Sequence, residues 1–309
     1  MPRLIVNADD FGLTSGVNRA IVELHHAGLV TSATIMARAP ATEEAIDIAR
    51  STPSLGMGCH IVFTGGEPIL SAFHDLPDIS DPANDRFATS LPAFLDTIYR
   101  TSPHNRVDHQ IEIEARAQIE FLQNAGLRLT HIDTHKHTHA FPRVLRPLLR
   151  AARSCGITRI RNPFEPLWAV RATTSAGLLR AGMVAGLLFL RSIWQRILRE
   201  EGFTTTDGTL AMAGTGVLDS AMIRSLVGQA PEGTWELITH PGYNDDDLAR
   251  IETRLRASRE IERLSLIALK EIPNLELIGF GSLELKPSND PHTPRTAKLP
   301  APSQRRKLS

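Results

Sequence analysis

The stretch "RLIVNADDFG", residues 3–12, changes character in one step. Leu4, Ile5 and Val6 are apolar and mostly β-branched, the composition of a short buried strand. The run then meets two carboxylates, Asp9 and Asp10, and a glycine, Gly12, at which the chain can turn. A helical pattern follows from Asn18 to His26, with Ala20, Ile21 and Leu24 on one side. A strand that delivers charge at its end and passes into a helix is the unit of a parallel α/β fold. In such folds ligands bind beyond the carboxyl ends of the strands.

The unit recurs along the chain. "TSATIMA" (31–37), "GMGCHIV" (56–62), "RLTHID" (128–133), "TRIRNP" (158–163), "GFTTTDGTLA" (202–211), "WELIT" (235–239) and "LELIGF" (275–280) read as strands. Thr42 to Arg50 and Glu112 to Gln123 read as helices between them. Seven or eight alternations in a chain of 309 residues point to a (β/α) barrel of parallel strands rather than an open sheet. The barrel is expected over 1–284. Residues 64–108, with a helix near 90–100, read as an insertion over one end, and 167–200 as a second. Residues 285–309 are rich in Pro, Ser, Lys and Arg and poor in large apolar groups, so disorder is expected there.

The expected strand ends carry the chemistry. The first ends at Asp9 and Asp10, the third at His60, the fourth at Asp133 and His135, the fifth at Arg161 and the seventh at His240. In "HIDTHKHTH" (131–139), Asp133, His135, His137 and His139 alternate, so a strand would present them on one face, unless the βα loop begins at Lys136. A single histidine in a βα loop is ordinarily polar surface. This cluster, facing two carboxylates, instead offers imidazole nitrogen and carboxylate oxygen to a divalent cation. Cys59 points away from His60 along the strand and reads as a core thiol. "NDDD" (244–247) reads as the solvated start of a helix, where negative charge suits the dipole.

Composition narrows the rest. Lys plus Arg and Asp plus Glu both number 34, which gives no basic footprint for nucleic acid. Two cysteines suggest a reducing compartment, and the opening residues lack the pattern of a secretory signal, so a cytoplasmic location is expected. The sequence sets no oligomeric state.

Four blocks, "VNADDFGLTSGVNRAI", "GMGCHIVFTGGEPI", "THIDTHKHTHAFP" and "ITHPGY", together resemble the YdjC-like carbohydrate deacetylases, the family of the chito-oligosaccharide deacetylases and the hopanoid-associated deacetylases. The resemblance spans about residues 3–283. "THKHTH", "IRNPFEP" (160–166) and the 167–200 insertion look closest to the hopanoid-associated branch, although "IDTHKH" departs slightly from it. The resemblance implies a distorted (β/α) barrel related to polysaccharide deacetylases, with one divalent cation, Mg²⁺ or Zn²⁺. Its implied ligands are Asp10, His60 and His135. Asp9 matches the general base and His240 the general acid. Asp133, His137, His139 and Arg161 fall to substrate contact or support of the ligands.

That set suits amide hydrolysis. A cation lowers the pKa of a water and polarises the acetyl carbonyl. A carboxylate that does not ligate takes the proton, and imidazole supplies one to the departing amine. The expected substrate is an N-acetylated amino sugar, as an oligosaccharide or linked to a lipid such as a hopanoid. The alternatives are a metal-dependent phosphoesterase or amidohydrolase on a related barrel, or a barrel that binds sugar or metal without turnover. Phosphoesterases and amidohydrolases usually open with His-x-His on the first strand, where this chain has Asp-Asp. Finally, "GMVAGLLFL" (182–190) lies among Arg171, Arg180, Arg191, Arg196 and Arg199, a pattern compatible with peripheral membrane association or with an ordinary barrel helix that has a basic face.

Overall fold

A computed structural model of the chain describes residues 2–81, 83–102, 104–173 and 177–284. The expected disordered tail, 285–309, lies outside the described residues. Strand β1 (Arg3–Phe11) is central. It pairs in parallel with β2 (Ser32–Ile35), which pairs with β3 (Gly56–Ile61), which pairs with β6 (His131–Thr134). On its other side β1 pairs in parallel with β8 (Thr234–Thr239), and β8 with β7 (Gly208–Leu210). The remaining gap, from β6 to β7, is bridged by residues 158–164. Ile132 pairs with Ile160, Arg159 with Thr204, and Thr209 N–H donates to the Phe164 carbonyl at 3.2 Å. The result is a ring of parallel segments, the expected distorted barrel.

Three expected strands are reduced, and of "GFTTTDGTLA" only β7 remains in regular pairing. "TRIRNP" contributes isolated bridges only, because Asn162 and Pro163 interrupt regular pairing: Asn162 Nδ2 donates to the Thr206 carbonyl at 3.0 Å. "LELIGF" keeps two paired residues, β9 (Glu276–Leu277), beside Arg3 and Leu4 at the entry of β1.

Alternation along the strands sorts the side chains. Val6 and Ala8, Ala33 and Ile35, Cys59 and Ile61, Ile132, and Leu237 join the apolar core under the helices. The opposite faces carry Asn7, Asp9, Thr34, His60, His131, Asp133 and Glu236, all buried; the first six hydrogen-bond to one another inside the barrel, and Glu236 accepts from Arg161. Phe280 closes the bottom of the barrel by stacking on His131, ring centroids 3.8 Å apart. Gly58 is required beside that ring, since a Cβ there would lie 2.5 Å from His131 Cε1.

The helices follow local signals. Helix α1 (Ser15–His26) starts at Thr14, whose hydroxyl accepts from Val17 N, and buries Val17, Ile21 and Leu24. Helix α2 (Thr42–Ser51) follows β2. The insertion after β3 holds a short hairpin, β4 (Ser80–Asp81) and β5 (Arg86–Phe87), and α3 (Leu91–Arg100). It ends earlier than 108, because α4 (His104–Asn124) begins eight residues before the apolar periodicity at Glu112. Glu114 of α4, buried, accepts from Ile69 and Leu70 N–H at 2.9 and 3.0 Å and so clamps the insertion to the barrel.

After β6 come α5 (Pro142–Ser154), α6 (Leu167–Ala172), α7 (Leu178–Leu187) and α8 (Arg191–Glu200). Helix α9 (Ser220–Gly228) precedes β8, and α10 (Asp246–Ala249) and α11 (Arg256–Ser265) follow it. Asp245 of "NDDD" caps α10, accepting from Leu248 N at 3.0 Å, as the sequence suggests.

Candidate active site

The site begins with a fault in β1. Register with β2 shifts between Ala8 and Phe11, and Asp10 adopts a left-handed φ of 62°. For a residue other than glycine that conformation is uncommon and marks a constrained position. Adjacent strand residues ordinarily point to opposite faces. The bulge turns Asp10 so that it and Asp9 serve one pocket. The turn expected at Gly12 (φ 98°) is also present, but the bend that matters is one step earlier, at Asp10 itself.

Asp10 Oδ1 lies 3.3 Å from His60 Nε2 and 3.5 Å from His135 Nδ1, and the two imidazole nitrogens are 3.3 Å apart. His60 is oriented by Asp133, its register partner on β6, through a 2.7 Å contact from Nδ1 to Oδ1. With the Nδ1 proton given to Asp133, Nε2 presents a lone pair to Asp10 and His135 once its own proton has left. Acceptors that converge in this way need a cation or proton between them. A cation with bonds of about 2.1 Å holds neighbouring ligand atoms roughly 3.0–3.4 Å apart, and the observed spacings are close to this. Burial disfavours charge on His60, yet Asp133, Asp10 and Asp9 outweigh it and raise His60 well above the usual imidazole range. Burial pushes His135 below that range.

Asp9 lies beside this triad and makes different contacts. Arg161 grips it with Nη1 to Oδ2 at 2.7 Å and Nη2 to Oδ1 at 2.6 Å, and Asn7 Nδ2 donates to Oδ1 at 2.9 Å. Burial alone would raise the Asp9 carboxyl, but Arg161 holds it well below the usual carboxylate range. His240, from the end of β8, faces it with Nε2 3.8 Å from Asp9 Oδ2.

Arg161 is fully buried and also reaches Asp133 at 2.6 Å and Glu236 at 2.7 Å. It therefore supports the pocket and has no surface for substrate. Glu236, desolvated and close to Asp9 and Asp133, is pushed up to about 8 despite Arg161.

The four alternating positions of "HIDTHKHTH" do not share a face. β6 stops at Thr134, and Lys136 and His137 both take left-handed φ, 55° and 53°, inside a tight 3-10 turn (His135–Ala140). The reason is that the loop starts immediately after His135. His137 remains near Asp9, His240 and His60; burial pushes it down to about 3, so it is neutral. His139 is turned into the protein, Nδ1 2.7 Å from Thr134 Oγ1, with its carbonyl accepting from Trp194 Nε1. It has no exposed surface. Cys59 is a buried free thiol raised well above its ordinary range by burial, as expected of a core cysteine.

Two site residues were not foreseen, and both come from α11. Arg259, 1% exposed, donates from Nη2 to Asp10 Oδ2, while Nε and Nη1 have no partner among the described residues. Glu262 accepts from the His240 backbone N–H at 2.6 Å and from Gly216 N–H at 3.4 Å. The available signal is an inverted pattern: Ser258, Arg259, Glu262 and Ser265 are buried, whereas Ile261 and Leu264 face outward.

Comparison with known proteins agrees with this architecture. The family model described as YdjC-like protein matches residues 3–270. A carbohydrate deacetylase of Brevibacillus brevis is 31% identical over 285 residues, covering 91% of this chain and 99% of the relative. A carbohydrate deacetylase of Thermoanaerobacter pseudethanolicus is 29% identical over 265 residues, with 85% and 90% covered. Among solved structures, a protein of Enterococcus faecalis V583 to which cellobiose-phosphate cleavage is ascribed superposes with a TM-score of 0.71. It is 26% identical, with 91% of this chain and 98% of that one covered. With the match running from the first strand past α11, the chain belongs to the YdjC-like protein family.

Proposed function

We propose that the protein is a metal-dependent hydrolase that removes the N-acetyl group from an amino sugar. The coarse part of this reading, a carbohydrate deacetylase, is carried by family membership and by full-length relatives that bear that name. The finer part is carried by one observation: Asp10 Oδ1, His60 Nε2 and His135 Nδ1 converge on one point, while Asp9, which also lies near His60 and Asp133, has both oxygens engaged by Arg161.

Asp10, His60 and His135 would hold the cation. When bound, such an ion supplies an activated water and polarisation of the acetyl carbonyl. The protein's own groups do the rest. Asp9, ionised at any working pH because Arg161 stabilises its charge, accepts the proton from water. Its basicity is thereby modest, so the proton must move on, and His240 at 3.8 Å is the nearest group able to carry it to the leaving amine. Glu262 fixes the His240 backbone, and Asp133 fixes the tautomer of His60. The substrate is read as an N-acetylated sugar, free or attached to a lipid. Two free cysteines support work in a reducing compartment, the cytoplasm.

A second reading, hydrolysis of a phosphorylated sugar, is favoured by the activity ascribed to the E. faecalis neighbour. Against it, Arg161 is already engaged by three carboxylates and is not available to a phosphate. The test is a panel of N-acetylated chito-oligosaccharides and phosphorylated disaccharides, assayed for acetate and for phosphate or hexose release. Acetate release with no cleavage of the phosphorylated sugars is expected; the reverse would replace this reading with the second.

A further inference from the structure

We infer that the outward face of α7 is a docking surface for an anionic lipid bilayer, placed at the rim of the barrel mouth. Leu178, Leu179, Met183 and Phe189 are 94%, 82%, 68% and 91% exposed, with Gly182 and Gly186, also exposed, between them. At about 100° per residue the five that belong to α7 fall in one arc of the helix, and Phe189 follows in the 3-10 turn Leu188–Leu190. The opposite arc is anchored: Ala181, Val184 and Leu187 pack with Val170, Met212 and Ala213. The helix is therefore held in place while presenting a wholly uncharged apolar face to water, a feature that marks an interaction site.

Charge selects the partner. Between Glu165 and Glu200 every charged residue is an arginine: Arg171, Arg180, Arg191, Arg196 and Arg199. This holds in a chain whose acidic and basic totals are equal, 34 and 34. An apolar face in an all-cationic segment suits the headgroup region of an anionic membrane. A symmetric contact with a second copy would instead bring these arginines against their own copies. The helical run Leu178–Glu200 is long and apolar enough to cross a bilayer, but its anchoring excludes spanning. The exposed stretch 178–190 is roughly 20 Å long, against a hydrocarbon core of about 30 Å. Beyond it, α8 buries Trp194 and Ile197 completely, and Trp194 Nε1 donates to the His139 carbonyl.

Position gives the surface a purpose. Arg180 donates to the Thr215 carbonyl in the loop after β7, Gly216 N–H of that loop donates to Glu262, and Glu262 holds His240. A bilayer seated on α7 would lie beside the opening that leads to Asp9 and His240. A sugar anchored in the membrane by a lipid tail would reach the site without leaving the bilayer. This consequence for the substrate rests on the deacetylase reading; the docking itself does not.

The test is co-sedimentation of the full-length protein with phosphatidylcholine vesicles, with and without phosphatidylglycerol. Binding to the anionic vesicles, weakened by salt, is expected. Leu179→Ser with Phe189→Ser should lower vesicle affinity by about tenfold or more. Arg191→Gln with Arg199→Gln should erase the preference for phosphatidylglycerol. Both double variants should keep wild-type circular dichroism. Absence of vesicle binding by the wild type, or binding unchanged in both variants, overturns the proposal. So does a dimer in sedimentation velocity that Leu179→Ser/Phe189→Ser dissolves, which would assign the face to a second copy. Acetate release is measured separately: its absence with docking intact counts against the deacetylase reading alone.

Discussion

Asp9 and Asp10 are neighbours in sequence, yet one lies against Arg161 inside the barrel and the other against Arg259 from α11. The φ of 62° at Asp10 produces that separation, on which the proposed division between a base and a ligand rests. Their identity as site residues was legible, because carboxylates at a strand end fall where parallel folds bind ligands. The arginines that set their chemistry were legible only in part: Arg161 sits at an expected strand end, but its three carboxylate partners come from β1, β6 and β8, and pairing across a barrel leaves no spacing in the sequence. Arg161→Met should destabilise the fold by about 3–5 kcal/mol in chemical denaturation, because it strands buried carboxylates. Glu236→Gln in that background should recover little, because without Arg161 the Glu236 carboxyl rises further and stays protonated, and a large recovery would mean that Glu236 is charged there. His240→Ala should reduce acetate release with cation binding intact, and reduce it least on substrates whose amine leaves easily.

Among the elements, strands with continuous pairing and alternating burial were readable: β2, β3 and β8 fall within two residues of their expected bounds, β6 starts three residues late, and β1 runs on through the two carboxylates to Phe11. Residues 158–164 complete the ring through isolated bridges, so they have the composition of a strand without its regular ladder. The loop at Lys136 ended the apparent alternation of the histidines, since periodicity cannot reveal where φ turns positive. Helix α11 escaped because its buried stripe is polar, whereas sequence periodicity finds apolar ones. Packing within elements can be tested at Gly58. Gly58→Ala should cost about 1–3 kcal/mol in thermal or denaturant unfolding, because the added methyl meets the His131 ring that Phe280 holds from the other side. A neutral effect would show that the barrel floor is more compliant than its stacking implies.

For the whole molecule, the polar interior makes cation binding and protonation compete. His60 is raised well above the usual imidazole range, so near neutral pH it carries a proton that must leave when Nε2 accepts a cation. Cation affinity should therefore rise with pH. Calorimetric titrations in buffers of different ionisation enthalpy should show proton release on binding, and identical heats in all buffers would contradict this. Glu236 shifts stability in the same pH range. Its folded value of about 8 lies above the ordinary carboxyl value, so its contribution is fully present below that ordinary value and is lost as pH rises towards 8. Glu236→Gln should flatten the decline in stability across that window in pH-dependent denaturation. The central claim is that Asp10, with His60 and His135, binds the cation while Asp9 moves the proton, and it is tested most directly by cation titration of metal-stripped Asp9→Asn and Asp10→Asn alongside acetate release. Asp9→Asn should bind cation as the wild type does and lose about 10²–10⁴-fold in kcat. Asp10→Asn should bind weakly and regain activity with excess cation. Loss of cation binding in Asp9→Asn, with binding kept in Asp10→Asn, would contradict the account and reverse the two roles.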